Sequence, residues 1–388
     1  MNELVTPAEA TGLILSNLPI TGIEQVALVD ALGRILRTAI VADRAQPPFR
    51  RATMDGIAFR GRAIRFRIAG LHAAGDPPPR PLEDDEAWEI MTGAIVPDDC
   101  DTLVPYEEIR IADGIANLQS AAETGRFIHE AGSDASQGSQ LIPEGICMGP
   151  AEIAIAASMG LSELSVSRMP VITILTTGDE AVPVTANPLP WQIRQSNGPV
   201  LVSVLRRLGY QNLRGVHVPD DVHRLEQAVD SALASSDLII LCGGISKGKR
   251  DHVREVMDAR LGPPAFHGVL QRPGKPLAFW SGAPPVFALP GNPVSVLATF
   301  TRYVRPALSA MQGTIPSERL TAPLAGPMES LPKLTWLLPA RIVNGCVHPL
   351  PPQNSGDFIS IAGATHLLEI APGRSTFPAG ECVPLHPL

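Results

Sequence analysis

The sequence predicts a multidomain protein of α/β plus β class, with a parallel α/β domain lying between β-rich regions. Three observations predict it. The apolar runs Val171 to Leu175, Leu238 to Cys242 and Val286 to Leu289 alternate with helical patterns. Runs of this kind suit strands buried on both faces, and their alternation with helices implies a parallel sheet with right-handed crossovers. Residues 63 to 125 carry short β-like stretches with no long helix between them, and the pattern after about Gln312 is β-like again to the C-terminus.

Taken in order, Thr6-Pro7-Ala8-Glu9 opens a helix, with an N-cap, a proline at the first helical position and an acid three residues past the cap. Gln46 to Arg51 is irregular and leads into Met54-Asp55-Gly56. Short strands are expected around Arg65 to Ala69, Ala87 to Met91 and Asp101 to Val104, then an alanine-rich helix from Gly149-Pro150 to Met159. In the α/β region, Gly198 to Leu208 reads as a helix behind the capping residues Ser196-Asn197. Val216 to Val218 is extended, and Asp221 to Ala234 is an amphipathic helix with acids in its first turn. Asn292 can cap a further helix that Pro293 begins. The 39 prolines sit largely in short clusters, which punctuate the chain into small units with stiff connections.

Composition narrows the function. A net charge of −8 disfavours wrapping a polynucleotide, which needs many cations against phosphate. Five cysteines, an odd count with none at metal-ligand spacing, disfavour a disulfide framework or structural zinc. Reduced thiols fit a cytoplasmic protein. The N-terminus lacks a signal-peptide pattern, and no apolar stretch approaches the ~20 residues that span a bilayer.

Ligands of parallel α/β sheets bind beyond the carboxyl ends of the strands. Three segments fall there. Thr176-Thr177-Gly178-Asp179-Glu180 offers two hydroxyls, a flexible glycine and two acids for an anion and a divalent cation; it equally fits a plain βα turn with a capping acid. Gly243 to Asp251 nearly matches a phosphate loop, with Gly243 and Gly248 five apart and then Lys249. Arg250 replaces the Ser or Thr that would hold Mg²⁺. Its glycines still let backbone N–H groups approach a phosphate, and a glycine turn with solvated lysines is the bland reading. Pro290 to Ser295 is the third. Nearby, Arg272-Pro273-Gly274-Lys275 places two cations around a tight turn, suited to a tetrahedral oxyanion or simply to a basic surface. The acids Asp55, Asp134, Glu180 and Asp251 are far apart in sequence, and spacing alone does not bring them together. No histidine falls in a catalytic signature.

As an ordered set, these stretches resemble the molybdopterin molybdenumtransferases, also called molybdenum insertases, which include the bacterial insertase and the matching domain of gephyrin. The resemblance runs through Pro47-Pro48-Phe49 to Met54-Asp55-Gly56-Ile57-Ala58, Ile90-Met91-Thr92-Gly93-Ala94 with Pro97, and Gly132-Ser133-Asp134 with Gly138. It continues through Thr176 to Glu180, Gln195-Ser196-Asn197, Gly243 to Asp251, Pro273 to Pro276 and Leu289 to Ser295, with Gln353-Asn354-Ser355-Gly356 a weaker match. The resemblance implies an elongated linking and dimerisation domain in two pieces, 1–57 and 128–169, and a β-rich lobe at 58–127. It further implies an α/β domain at 170–312 similar to molybdopterin adenylyltransferases, and a β-barrel-like domain at 315–388.

The implied reaction is insertion of molybdate into adenylylated molybdopterin (molybdopterin-AMP), with Mg²⁺-dependent release of AMP. By matching positions, the catalytic set would be Asp55, Thr92, Asp134, Glu180 and Asp251, with Glu180 and Asp251 holding the metal. Substrate would be held by Thr176, Thr177, Gly178, Asp179, Ser196, Asn197, Gly243, Gly244, Ser246, Gly248 and the turn Arg272, Pro273, Gly274, Lys275. Pro290, Gly291, Asn292, Pro293, Ser295 and Ser355 would complete that surface. Implied partners are a second copy of the chain, supplying Asp55 and Thr92 to a shared site, the molybdopterin adenylyltransferase and recipient molybdoenzymes, with no nucleic acid or membrane. The chain departs from the family pattern in being more basic, at Arg50, Arg51, Lys247 and Lys249, cations that would oppose the adenylylated phosphate, with Gln195 in place of an acid and Arg272 in place of a lysine. A divergent, non-catalytic binder of molybdopterin or cofactor, or a scaffold, is therefore the alternative to the enzyme.

Overall fold

The computed structural model describes residues 4–245, 252–316, 320–354 and 356–388. Its centre is a six-stranded sheet in the spatial order Leu213–Val218, Ile172–Thr177, Leu238–Cys242, Val286–Leu289, Ala278–Trp280, Phe266–His267. The first four strands are parallel. Ala278–Trp280 runs antiparallel to both its neighbours, because it returns directly into Val286–Leu289 as a hairpin, an edge that the helix–strand alternation did not reveal.

The continuous apolar runs have a simple cause. Along Leu238–Cys242, residues Leu238, Ile240 and Cys242 face one core with Leu201 and Leu205 of the Asn197–Arg207 helix. Ile239 and Leu241 face a second core with Leu225 and Val229 of the Val222–Ser235 helix. Since strand side chains alternate, a strand covered on both sides must be apolar throughout. The helix caps conform in part. Thr6 and Glu9 form the expected capping box, and Asp221 accepts from the Arg224 N–H as an N-cap, so the acid precedes the first turn rather than lying in it. Ser196 has α-helical backbone angles and makes no side-chain cap bond, contrary to expectation; its hydroxyl is not placed over the N–H groups that an extended cap residue reaches.

Three short antiparallel pairings zip the early chain to residues 128–167. Ile23–Ala27 pairs with Glu163–Ser167, Ile40–Val41 with Gln140–Ile142, and Arg51–Ala52 with Ile128–His129. Between the last pair the chain forms a six-stranded sheet, from Thr102–Pro105 through Gly56–Phe59, Glu86–Ile90, Arg65–His72 and Ile115–Leu118 to Ile109–Ala112. The first helix, Pro7–Leu15, packs instead on the α/β core through Ala10 and Ile14.

The C-terminal strands close on themselves. Cys346–Pro349 pairs with Thr335–Val343, which pairs with His366–Ile370, then Cys382–Pro387, then Thr321–Pro323. A parallel bridge from Leu324 to Val347 completes the ring. The Gln271–Arg272 strand of the α/β unit adds in parallel to Thr335–Trp336, so the cationic turn that follows it is anchored to both units.

Candidate active site

At the carboxyl ends of the parallel strands, sequence-distant segments meet. Thr176 and Cys242 are register partners, as are Thr176 and His217. Thr176 Oγ1 lies 3.0 Å from His217 Nδ1. Gln195 Nε2 donates to Thr176 Oγ1 and lies 3.1 Å from His217 Nδ1. His217 was not anticipated; strand register, which sets it level with Thr176, was the signal available. The Thr177 hydroxyl lies against the glycine turn, 2.9 Å from where a side chain on Gly243 would begin. Gly291 abuts the Gly243 Cα in the same way at 3.6 Å, and Asn197 Nδ2 donates to the Gly291 carbonyl at 2.7 Å. Thr176, Thr177, Asn197, Gly243, Gly244 and Gly291 therefore converge, while Asn197 Oδ1 is buried without a partner among the described residues.

The neighbouring acids differ. Asp179 and Asp220 accept from each other's backbone N–H, at 3.0 and 3.4 Å, so Asp179 locks a turn. The exposed Glu180 carboxylate folds over Gly178, 2.8 Å from where its side chain would begin. Ser246, Gly248, Asp251 and the basic residues Lys247 and Lys249 lie outside the described residues, as does Ser355. No group of three or more His, Cys, Asp or Glu side chains suited to a metal occurs among the described residues. Of the expected metal pair, Glu180 lies among the described residues; one carboxylate suffices for Mg²⁺ when ligand phosphates and waters supply the other oxygens.

Beside this end of the sheet lies a cavity of about 410 Å³ between the α/β unit and the C-terminal ring. It is lined by Arg272, Pro273, Gly274 and Lys275 with Pro290, Asn292 and Ser295 from the α/β unit, and by Trp336, Leu338 and Asn354 from the C-terminal ring, with Arg272 and Trp336 side by side as register partners. The arrangement gives a cationic rim against an apolar aromatic surface, suited to an oxyanion attached to an organic ring. Trp336 carried no sequence signal, since only tertiary pairing brings it here.

Asp55, Thr92 and Asp134 belong to the N-terminal units. Asp55 Oδ1 accepts from the Thr92 N–H at 2.7 Å and from Thr92 Oγ1 at 2.6 Å, which holds its carboxyl below the usual range. Arg51 Nε donates to His129 Nδ1 at 3.2 Å, which leaves the imidazole proton on Nε2, from where it donates to Asp134 at 2.7 Å. That hydrogen bond holds the Asp134 carboxyl low as well. Arg50 is committed differently from the expectation of a ligand-facing cation. Its guanidinium donates to the carbonyls of Pro97 at 3.1 Å and Cys100 at 2.9 Å and pairs with Glu130 at 3.0 Å.

Comparison with known proteins matches these units in order. Residues 5–160 match the family described as MoeA N-terminal region (domain I and II), 173–310 the probable molybdopterin binding domain, and 321–388 the MoeA C-terminal region (domain IV). The chain is 33% identical to the molybdopterin molybdenumtransferase of Synechocystis sp. over 99% of this chain and 100% of that one. It is 31% identical to gephyrin of Dictyostelium discoideum over 75% of this chain and 47% of gephyrin. Among solved structures, the molybdopterin biosynthesis MoeA protein of Pyrococcus horikoshii superposes with a TM-score of 0.79 at 28% identity, covering 99% of each chain. With the shared fold spanning the whole chain and the strand-end turns lying where the matched binding domain sits, this chain belongs to the molybdopterin molybdenumtransferase (MoeA) family.

Proposed function

We propose that the chain inserts molybdate into adenylylated molybdopterin, with Mg²⁺-dependent release of AMP. Family membership makes it a transferase of molybdenum cofactor biosynthesis. The observation that carries the finer reading is the cavity of about 410 Å³, lined by Arg272, Lys275 and Trp336 beside the glycine turns at the strand ends. The cations attract molybdate, the backbone N–H groups of the Gly243-Gly244 turn receive phosphate oxygens, and the apolar wall receives the pterin. Thr176, Thr177 and Asn197 orient the bound ligand by hydrogen bonding. Glu180, with Asp251, would hold Mg²⁺, which when bound would neutralise charge at the pyrophosphate. Fixed cations at the turn stabilise charge as it develops on the oxyanion.

Asp55, Thr92 and Asp134 sit on the N-terminal units, where Thr92 donates to Asp55 and His129 to Asp134, away from the strand ends. We infer that they serve a site shared across a homodimer. The setting is the cytoplasm, where the chain takes substrate from a molybdopterin adenylyltransferase and passes cofactor to molybdoenzymes. Nucleic acid and membrane play no part in this reading; among the described residues no helix is long and apolar enough to cross a membrane. The test supplies adenylylated molybdopterin, molybdate and Mg²⁺ to the purified chain and follows AMP. Release of AMP that requires molybdate supports the reading, and tight binding without release makes the chain a carrier.

A further inference from the structure

Beneath the cationic turn lies a buried polar relay that the family match does not assign. Gln271, at 0% exposure, ends neither of its polar atoms in solvent. Its Oε1 accepts from the Tyr303 hydroxyl, and its Nε2 donates to the Gly274 carbonyl at 3.3 Å. Tyr303 is itself buried, at 2% exposure. Gly274 has φ +87°, and a side chain there would begin 2.5 Å from the Thr299 methyl and 2.9 Å from Gln271 Nε2. The turn is thus seated on Thr299 and Gln271 with no room to settle further.

The helix below explains how Tyr303 gets there. Pro293–Thr299 and Arg305–Met311 are α-helical, but Phe300–Val304 between them winds as a π-helix. One extra residue per turn rotates the following side chains relative to a continuous α-helix, and such bulges recur at functional sites. Here the bulge holds the hydroxyl that donates to Gln271 Oε1. Left without it, a fully buried amide oxygen is uncompensated and Gln271 has reason to turn, releasing Gly274.

We infer that Gln271 and Tyr303 are positioning residues that preset the Arg272–Lys275 turn for its oxyanion, so that the two cations need no rearrangement when it binds. The inference rests on the reading of that turn as the molybdate-binding edge of the cavity. Preorganised donors and charges bind without the ordering cost that a mobile loop incurs. Neither residue touches the oxyanion; both act through the turn.

The test uses the full chain, with molybdate alone in calorimetric titration and, separately, AMP release measured against molybdate concentration. Tyr303→Phe removes one oxygen atom and keeps the packing. It is expected to weaken molybdate binding and raise the KM for molybdate by about tenfold, the scale of one lost buried hydrogen bond, while kcat at saturating molybdate stays within about twofold. Gln271→Leu is expected to act in the same direction, and the double variant no worse than the weaker-binding single one, because the two form one relay. A folded Tyr303→Phe with wild-type molybdate affinity overturns the inference, as does a fall in kcat and affinity in proportion to a fall in melting temperature. The two readings fail separately. Wild type that releases AMP, with variants that keep their affinity, removes the relay and leaves the function. Wild type that binds molybdate, loses affinity on substitution and releases no AMP removes the function and leaves the relay.

Discussion

Asp55 Oδ1 takes both hydrogen bonds that Thr92 can donate, at 2.7 Å from the backbone N–H and 2.6 Å from the hydroxyl. The pairing of Gly56 with Ile90 in antiparallel register sets these two residues at the same end of neighbouring strands. The side-chain bond, then the backbone bond, favours the charged carboxylate and lowers its pKa. Thr92→Val removes the hydroxyl and keeps the N–H, so the Asp55 pKa rises toward its ordinary value. The acid limb of the pH–rate profile for AMP release is expected to move to higher pH, with the rate at neutral pH little changed because Asp55 is ionised there in both proteins. An unmoved acid limb would show that ionisation of Asp55 does not govern the rate.

Arg50 serves the lobe rather than the ligand. Its three main contacts, the carbonyls of Pro97 and Cys100 and the Glu130 carboxylate, tie the start of the inserted sheet to its 97–100 turn. Arg50→Ala leaves two carbonyls short of a donor. We expect a loss of about 1–3 kcal/mol in stability, read by thermal unfolding, with the salt dependence of ligand affinity unchanged. Affinity that falls at low salt and recovers at high salt would restore the view of Arg50 as a phosphate-facing cation.

The legible parts of the fold were those where local chemistry and tertiary need coincide. Leu238–Cys242 and Val286–Leu289 fall where the apolar runs placed them, since both faces of each strand are covered. The helix starts at Thr6 and Asp221 were visible because a cap is a local hydrogen bond. The antiparallel edge at Ala278–Trp280 was not, because a short apolar strand carries no mark of its direction. In the site, the glycine turns and the cations around Gly274 were readable as residue types at strand ends. His217, His129, Gln271, Tyr303 and Trp336 were not: each matters through a contact that only the folded chain makes, such as His129 with Asp134, His217 with Thr176 and Gln271 with Tyr303.

Gly244 is fixed in kind by two constraints at once. Its φ is +62°, and a side chain there would begin 2.6 Å from Val253 Cγ2 and 3.3 Å from Thr177 Oγ1. The backbone conformation alone costs an L-residue about 1–2 kcal/mol, and the contact pushes apart the turn and the Val253–Leu261 helix. Gly244→Ala is expected to lower both the melting temperature and AMP release. Adding Val253→Ala should recover part of the activity by removing the contact while leaving the conformational cost. Wild-type activity in Gly244→Ala alone would mean that the turn is not held closely against Thr177.

Glu369 joins three parts of the chain. It accepts from Arg302 Nε at 2.8 Å and from His386 Nε2 at 2.7 Å, and Arg302 Nη1 reaches Thr11 Oγ1 at 3.0 Å on the first helix. Burial, the largest single influence, favours the neutral acid. The hydrogen bond from His386 and the charge of Arg302 together outweigh it and bring the carboxyl to about 2, against an ordinary 4.5. A depressed carboxylate pKa stabilises the fold above the ordinary value, and that stabilisation fades as pH falls from 4.5 through 2. The shift corresponds to about 3 kcal/mol at neutral pH, of the size expected when one partner of a buried pair is removed. Glu369→Gln should therefore melt well below wild type at pH 7, with the gap narrowing steadily as the pH is lowered below 4.5. Calorimetric melting of both proteins across that range is the check. A gap that stays constant down to the lowest pH would show that hydrogen bonds the amide cannot accept, and not the ionisation of Glu369, account for the difference.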